Sequence, residues 1–380
     1  MRVTVGYSGE TAELDVPEGR LAGAWRGPDG VAPRDLPGLV REALENPRDF
    51  PPLRRTVVPG DRVAIPLGPA VPDADIILAE VVAILREAGV EPEGITVLAA
   101  PGAHAPGTLH LPAGVTRIDH DPDDRARMAY LASTAAGRRV YLDRMLTDAD
   151  VVLPIGRLAY DPVLGYDGPW GAIFPGLSDR ETVRAAAAGA LASLPEPGDR
   201  VPLFDEAAEV GWLLGSLFHV AVAPGVRGVA GIVAGREDLV RADGVRAIQD
   251  AWSVATDAWA ELVVAGIGVA GVPSTLDDLS VGLQGALDLI RPGGASRIVA
   301  LSEIAEVPEP VAGSPTSARL DRVLEGAAVY LLSRLDPEVV EDLGMVPVAR
   351  LADVQRLVAA SGSCLLLSPA DRLRVTRSEA

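Results

Sequence analysis

The sequence predicts an α/β protein of two lobes, each a mainly parallel sheet flanked by helices. Two strand–helix–strand units carry that expectation. In the first, an apolar strand at 62–67 is followed by a helical pattern over 74–88, ended by Gly89, and by a second apolar strand at 95–100. In the second, the segments 262–265, 276–290 and 297–301 repeat the order. A strand joined to its neighbour through a helix makes a crossover, and a crossover leaves the two strands parallel. Composition agrees. Hydrophobic residues make up 48% of the chain but aromatics only 4%, so the core is aliphatic, as buried strands covered by helices require.

The other elements fall around these units. Residues 1–60 read as short strands and loops with one helix at 36–45, which Pro47, Pro51 and Pro52 end. A strand follows at 150–155, then an alanine-rich helix at 182–194 stopped by Pro195 and Pro197, then strands at 219–223 and 228–234. A long helical pattern from 243 to 259 suits a connector between lobes. The expected division is an N-terminal domain over 1–242, a linking helix over 243–260 and a C-terminal α/β domain over 261–380. Further helices are expected near 318–334 and 351–360, with a last strand at 364–367 and a Pro/Gly/Ser loop at 308–315.

Charge and composition exclude several functions. All 34 basic residues are arginine, which rules out a lysine Schiff base and a P-loop lysine. A net charge of −19 repels phosphate backbones, so neither a nucleic-acid nor an anionic-membrane partner is expected. Cys364 is alone, so there is no disulfide framework and no cysteine-rich metal site. Residues 1–5 lack a basic start leading into an apolar run, and no apolar stretch reaches the roughly 18 residues of a membrane span. A cytoplasmic location is therefore expected. The sequence sets no oligomeric state.

Several motifs are candidates for chemistry. His104, in Pro101-Gly102-Ala103-His104, follows an expected strand. Parallel sheets carry ligands at the carboxyl ends of their strands, which makes His104 the first candidate for acid/base work, against a loop histidine tied to backbone. His110 and His120 read as surface residues and His219 as a core histidine. Asp121, Asp123 and Asp124 read as a solvated turn, since they lack the spacing of a calcium loop. The stretch from Tyr160 to Gly176 is too long for a simple turn and gathers Tyr160, Asp161, Tyr166, Asp167 and Trp170 among glycines; such loops at strand ends are commonly functional. Gly266, Gly268 and Gly271 fit a dinucleotide fingerprint, but Pro273 interrupts the helix that should follow, which also suits an ordinary strand-to-helix turn.

Taken in order, the motifs resemble the nickel-pincer-nucleotide lactate racemase (LarA-like) family. Ala43-Leu44-Glu45-Asn46-Pro47, Pro51-Pro52-Leu53 and Gly60–Ile65 resemble its N-terminal lead-in; residues 98–106 resemble its ATGTHRP segment. Residues 149–156 with 165–176 resemble its GFSGGAK and PG segment, and 261–303, with Pro273, Asp277, Gln284 and Gly293-Gly294, its C-terminal motif. The resemblance implies a two-lobed fold, a covalently attached nickel cofactor and racemisation of a 2-hydroxy acid. The functional positions depart from it. The cofactor-attaching lysine falls on Gly171, a catalytic histidine on Asp161, the nickel-binding histidine near Ala187 and a substrate lysine on Leu287. His104 and Gln284 match positions the family uses.

The chain therefore reads as a diverged family member with no expected cofactor, since the lysine and the metal-binding imidazole are both replaced. The expected activity is binding of a small molecule in an interlobe cleft, without catalysis, with Gln284, Tyr160, Tyr166 and Trp170 as ligand-contacting residues. One alternative is a racemase- or epimerase-type isomerase using His104 and Asp161 as its acid/base pair. Another is a dinucleotide enzyme working through Gly266–Gly271.

Overall fold

A computed structural model describes residues 1–100, 109–189, 199–269, 274–291, 296–307 and 314–377. The chain forms two compact units, Asp29–Asp250 and a discontinuous one of Met1–Pro28 with Ala251–Ala380. Each has its own sheet.

In the unit Asp29–Asp250 the sheet has seven strands. Across it lie Val229–Arg236, Phe218–Pro224, Ile155–Arg157, Val63–Leu67, Ile95–Ala99 and Thr116–Asp119, with Val151–Val152 also paired to Val63–Leu67. All pairs are parallel except Phe218–Pro224 with Val229–Arg236. Every residue of Val63–Leu67 is buried, because a central parallel strand is covered on both faces. On one face the helices Leu36–Glu45 and Ala74–Glu87 pack a core of Leu36, Val40, Leu44, Ile77, Leu78, Val81 and Leu85. Gly89, at φ +92°, ends the second helix as the sequence indicates. The expected strand at 150–155 is split in two by Leu153-Pro154. A second core around Trp170, Ile173, Phe174, Leu177, Ala207 and Val210 holds the candidate site.

In the other unit six strands are all parallel: Val346–Val348, Ala328–Leu332, Arg297–Leu301, Leu262–Gly266, Cys364–Ser368 and Leu21–Arg26. An antiparallel hairpin, Arg2–Tyr7 with Glu10–Asp15, adds Val5, Tyr7, Ala12 and Leu14 to this unit's core. The first 28 residues thus belong with the C-terminal part of the chain, which differs from the expected 1–242 domain. The cause is Leu21–Arg26, whose only alternation is between half-buried and exposed. Nothing local names its partner, which lies some 340 residues away at Cys364–Ser368. The expected linking helix is displaced as well. It spans Glu237–Trp252, and Ser253–Thr256 is a strand paired with Arg374–Arg377. A helix near 318–334 is shortened to Pro315–Gly326, followed by a strand. No helix among the described residues is long and apolar enough to cross a membrane.

Candidate functional site

Strand Ile155–Arg157 delivers the chain to the carboxyl edge of the seven-stranded sheet, between Phe218–Pro224 and Val63–Leu67. Gly156 is required there, since a Cβ on it would overlap the backbone of Gly168. The chain then forms a short hairpin, Ala159–Asp161 against Gly165–Asp167. Its turn is closed by Asp161, whose Oδ1 accepts from the amides of Val163 at 2.8 Å and Leu164 at 2.7 Å, and by Gly165 at φ +78°.

Side chains alternate across a strand, so the hairpin has two different faces. Tyr160 and Tyr166 are paired directly and share one face, with ring centroids 5.5 Å apart. Tyr166 meets Phe204 at 5.8 Å, Phe204 meets Trp170 edge-on at 5.4 Å, and the Arg241 guanidinium lies 5.2 Å over the Phe204 ring. The Tyr166 hydroxyl accepts from Gln249 at 3.0 Å. On the other face lie Asp161 and Asp167, diagonal to each other across the register.

Asp167 is the unusual group. It is buried, and its Oδ1 accepts from the Gly168 amide at 2.8 Å. Burial first, and then the charge of Asp161, push its carboxyl up to about 7; Arg157 and the Gly168 amide only partly offset this. Arg157 attracts the anion, but its own buried Nε donates to nothing among the described residues. A carboxyl in this setting holds its proton up to near neutrality. The carboxyl also occupies the side-chain space of Gly171. A Cβ there would overlap Asp167 Oδ1 and come within 2.9 Å of Leu164 Cδ1. Sequence reasoning placed Asp167 in the loop without giving it a role. The available signal was its same-face relation to Asp161 across a three-residue turn.

The structure brings Tyr160, Asp161, Tyr166 and Trp170 together in this one segment. Trp170 is 1% exposed and donates its indole N–H to the Tyr166 carbonyl at 2.9 Å. It has almost no surface to offer a ligand. His104 lies outside the described residues. Gln284 sits in the other unit, on helix Leu276–Leu287, where it donates to Asp288 at 3.2 Å. Its Oε1 is buried without a partner among the described residues.

His120 is not the surface residue the sequence suggested. It is 5% exposed, with Nδ1 at 3.1 Å from Asp143 Oδ2 and Nε2 at 2.9 Å from the Ser178 carbonyl. Its polar neighbours, Asp119 and Asp121, make the segment look solvated, while the ring turns inward. Burial works to raise the Asp143 carboxyl, but hydrogen bonds from His120 and the Met145 amide, together with Arg127, outweigh it and hold the carboxyl below the usual range. His219 is fully buried, as expected of a core histidine, and desolvation lowers it to about 3. Ser216 meets its Nε2, while Nδ1 has no partner among the described residues. In the aspartate turn, Asp121 and Asp124 cap backbone amides and Asp123 pairs with Arg180.

The glycine fingerprint of the C-terminal unit serves close packing. A Cβ on Gly266 would overlap the Gly6 carbonyl of the covering hairpin. The Gly268 amide, the kind of donor a pyrophosphate would need, already donates to Asp371 at 2.7 Å. Gly271 is outside the described residues.

Residues 7–194 match the family model of the lactate racemase N-terminal domain. The chain is a member of the LarA-like family. Its fold is shared by the lactate racemase apoprotein from Thermoanaerobacterium thermosaccharolyticum, at 16% identity and a TM-score of 0.74, over 99% of this chain and 100% of that one. A protein from Thermotoga maritima is similar at 13% identity and a TM-score of 0.63, over 93% of this chain and 100% of that one. No curated sequence matches.

By the order of the motifs the family's cofactor lysine falls on Gly171 and its metal-binding histidine near Ala187, and neither residue suits that cofactor. Attachment by lysine has no lysine to use anywhere in the chain. At the corresponding residue, Gly171, the side-chain space is filled by Asp167 and Leu164. Ala187, near the place of the metal-binding imidazole, offers an exposed methyl group on helix Arg180–Ala188.

Proposed function

We propose that this LarA-like protein binds a small molecule and does not carry the nickel-pincer nucleotide or racemise 2-hydroxy acids. The observation that carries this reading is the filled space over Gly171. A position whose Cβ would meet a buried carboxyl has no room for a covalent anchor. A cavity of about 530 Å³ beside the hairpin, lined by Val163, Arg138, Arg200, Ala186 and Glu206, supports ligand binding, since its volume lies in the range of small-molecule sites, roughly 300–1,000 Å³.

The test is metal analysis and intact-mass measurement after co-expression with the cofactor-making enzymes. The expected result is no stoichiometric nickel, no mass increment and no racemisation of lactate; nickel with a covalent increment overturns the reading. A thermal-shift screen of hydroxy acids, sugar acids, nucleotides and NAD then identifies the ligand class, because anything bound only by the native state raises the melting temperature.

The second reading, an isomerase using His104 and Asp161, gains support from one feature: Asp161 sits at the carboxyl edge of the sheet, where ligands bind. Against it, Asp161 already closes its own turn through two amides. In this reading His104→Ala abolishes turnover and changes stability by about 0.5 kcal/mol or less.

A further inference from the structure

We infer that Asp167 is a proton-controlled latch: as a neutral carboxylic acid it fills the side-chain space of residue 171 and holds the 161–176 segment closed, and loss of its proton loosens that segment. The latch stands on three placements. The carboxyl lies where a Cβ of residue 171 would be, under Leu164. Asp161 shares its face of the hairpin, so an ionised Asp167 puts two like charges on one side of a three-residue ladder. Its hydrogen-bond donor is the adjacent Gly168 amide at 2.8 Å, and no arginine is hydrogen-bonded to it among the described residues.

Among the described residues, the charged and titratable groups around it are few. Arg157, from strand Ile155–Arg157, favours the anion, and Asp161, from the facing strand, opposes it. The phenols of Tyr160 and Tyr166 occupy the opposite face, and Arg241 lies beyond the Phe204 ring. The step is a proton exchange with solvent, so nothing else is needed to balance it. A titration near 7 places the change within the physiological range.

What the latch holds is specific. The Gly168 amide is bonded to Asp167 itself, the Gly171 amide donates to the Gly168 carbonyl at 3.1 Å, and the Trp170 indole donates to Tyr166. Ionisation strengthens the Gly168 bond to the carboxyl but sets a second charge on the face of Asp161, so the strain falls on the Gly171 amide and the Trp170 indole. Because the carboxyl closes the position matched to the family's lysine, the latch extends the functional reading above without depending on the identity of the ligand.

The experiment follows the Trp170 indole N–H by NMR between about pH 5 and 9, assigned with Trp170→Phe, together with hydrogen exchange at Gly171. The wild type is expected to show one single-proton step near 7. Exchange at the Gly171 amide should rise at least about tenfold beyond its intrinsic pH dependence, as for a local opening. Asp167→Asn should abolish the step, and Asp161→Asn should move it to lower pH. No step in the wild type, or a step surviving in Asp167→Asn, overturns the latch. Should Asp167→Asn fail to fold, an unmoved midpoint in Asp161→Asn overturns it. Nickel in the same preparation would refute the functional reading and leave the indole titration unaffected, so the two failures are separable.

Discussion

Two buried aspartates in the unit Asp29–Asp250 are built in opposite ways. Asp143 is 1% exposed at its side chain and is met by His120, Arg127 and the Met145 amide. Asp167 is also buried, yet its surroundings are a glycine amide, a leucine and a second carboxylate, and Arg157 offsets only part of the effect. Both suffer desolvation, which disfavours charge. Partners decide the outcome. At Asp143 they overcome burial and hold the carboxyl below its ordinary range; at Asp167 they do not, and the carboxyl is pushed up to about 7. Depth alone therefore does not tell whether a buried carboxyl is charged, and the two regions must respond to pH with opposite sign.

The largest expected effect is at the paired site. His120→Ala removes a donor from a buried carboxylate and leaves the Ser178 carbonyl unsatisfied. It should destabilise the protein by about 3 to 5 kcal/mol, the cost of breaking a buried pair, measured by urea denaturation. A loss under about 1 kcal/mol, the scale of a surface pair, would break the contrast between the regions.

Next comes Gly171→Ala. The new methyl group meets Asp167 and Leu164 and should cost about 1 to 3 kcal/mol, as overpacking does. Asp167→Ala in the same chain should recover most of that loss, and a thermodynamic cycle measures the coupling. Additive effects would mean that the carboxyl does not fill the space of residue 171.

Titration sharpens the comparison. The Asp167 carboxyl is raised, so the native state holds a proton that the unfolded chain has released. Its contribution to stability is complete below the ordinary carboxylate range and is lost as pH rises toward 7. The Asp143 carboxyl is lowered, so its contribution is present above the ordinary range and is lost as pH falls. Asp167→Asn should therefore stabilise the protein at pH 8, by about 1 to 3 kcal/mol for relieving a poorly satisfied buried charge, with no gain at pH 4. Equal effects at both pH values would refute the assignment. The smallest effect is expected from Trp170→Phe, which loses the bond to Tyr166 and should cost about 1 kcal/mol, read from the melting temperature.

Much of this molecule was determined by sequence alone. The strand–helix–strand units at 63–99 and 262–301 were legible because burial on both faces demands unbroken apolar runs and because helices repeat at their own period. The family, the absence of lysine and the glycine at 171 were legible too. Tertiary structure decided the rest. Leu21–Arg26 and Ser253–Thr256 acquired partners more than a hundred residues away, and no local pattern encodes a distant partner. His120 reads as exposed until the Asp143 and Ser178 segments close over it. Asp167 is one of many aspartates on paper. It becomes the site's acid only when the hairpin register sets it beside Asp161 and its carboxyl fills the space that Gly171 leaves open, because the charge of a buried group is set by what surrounds it in three dimensions.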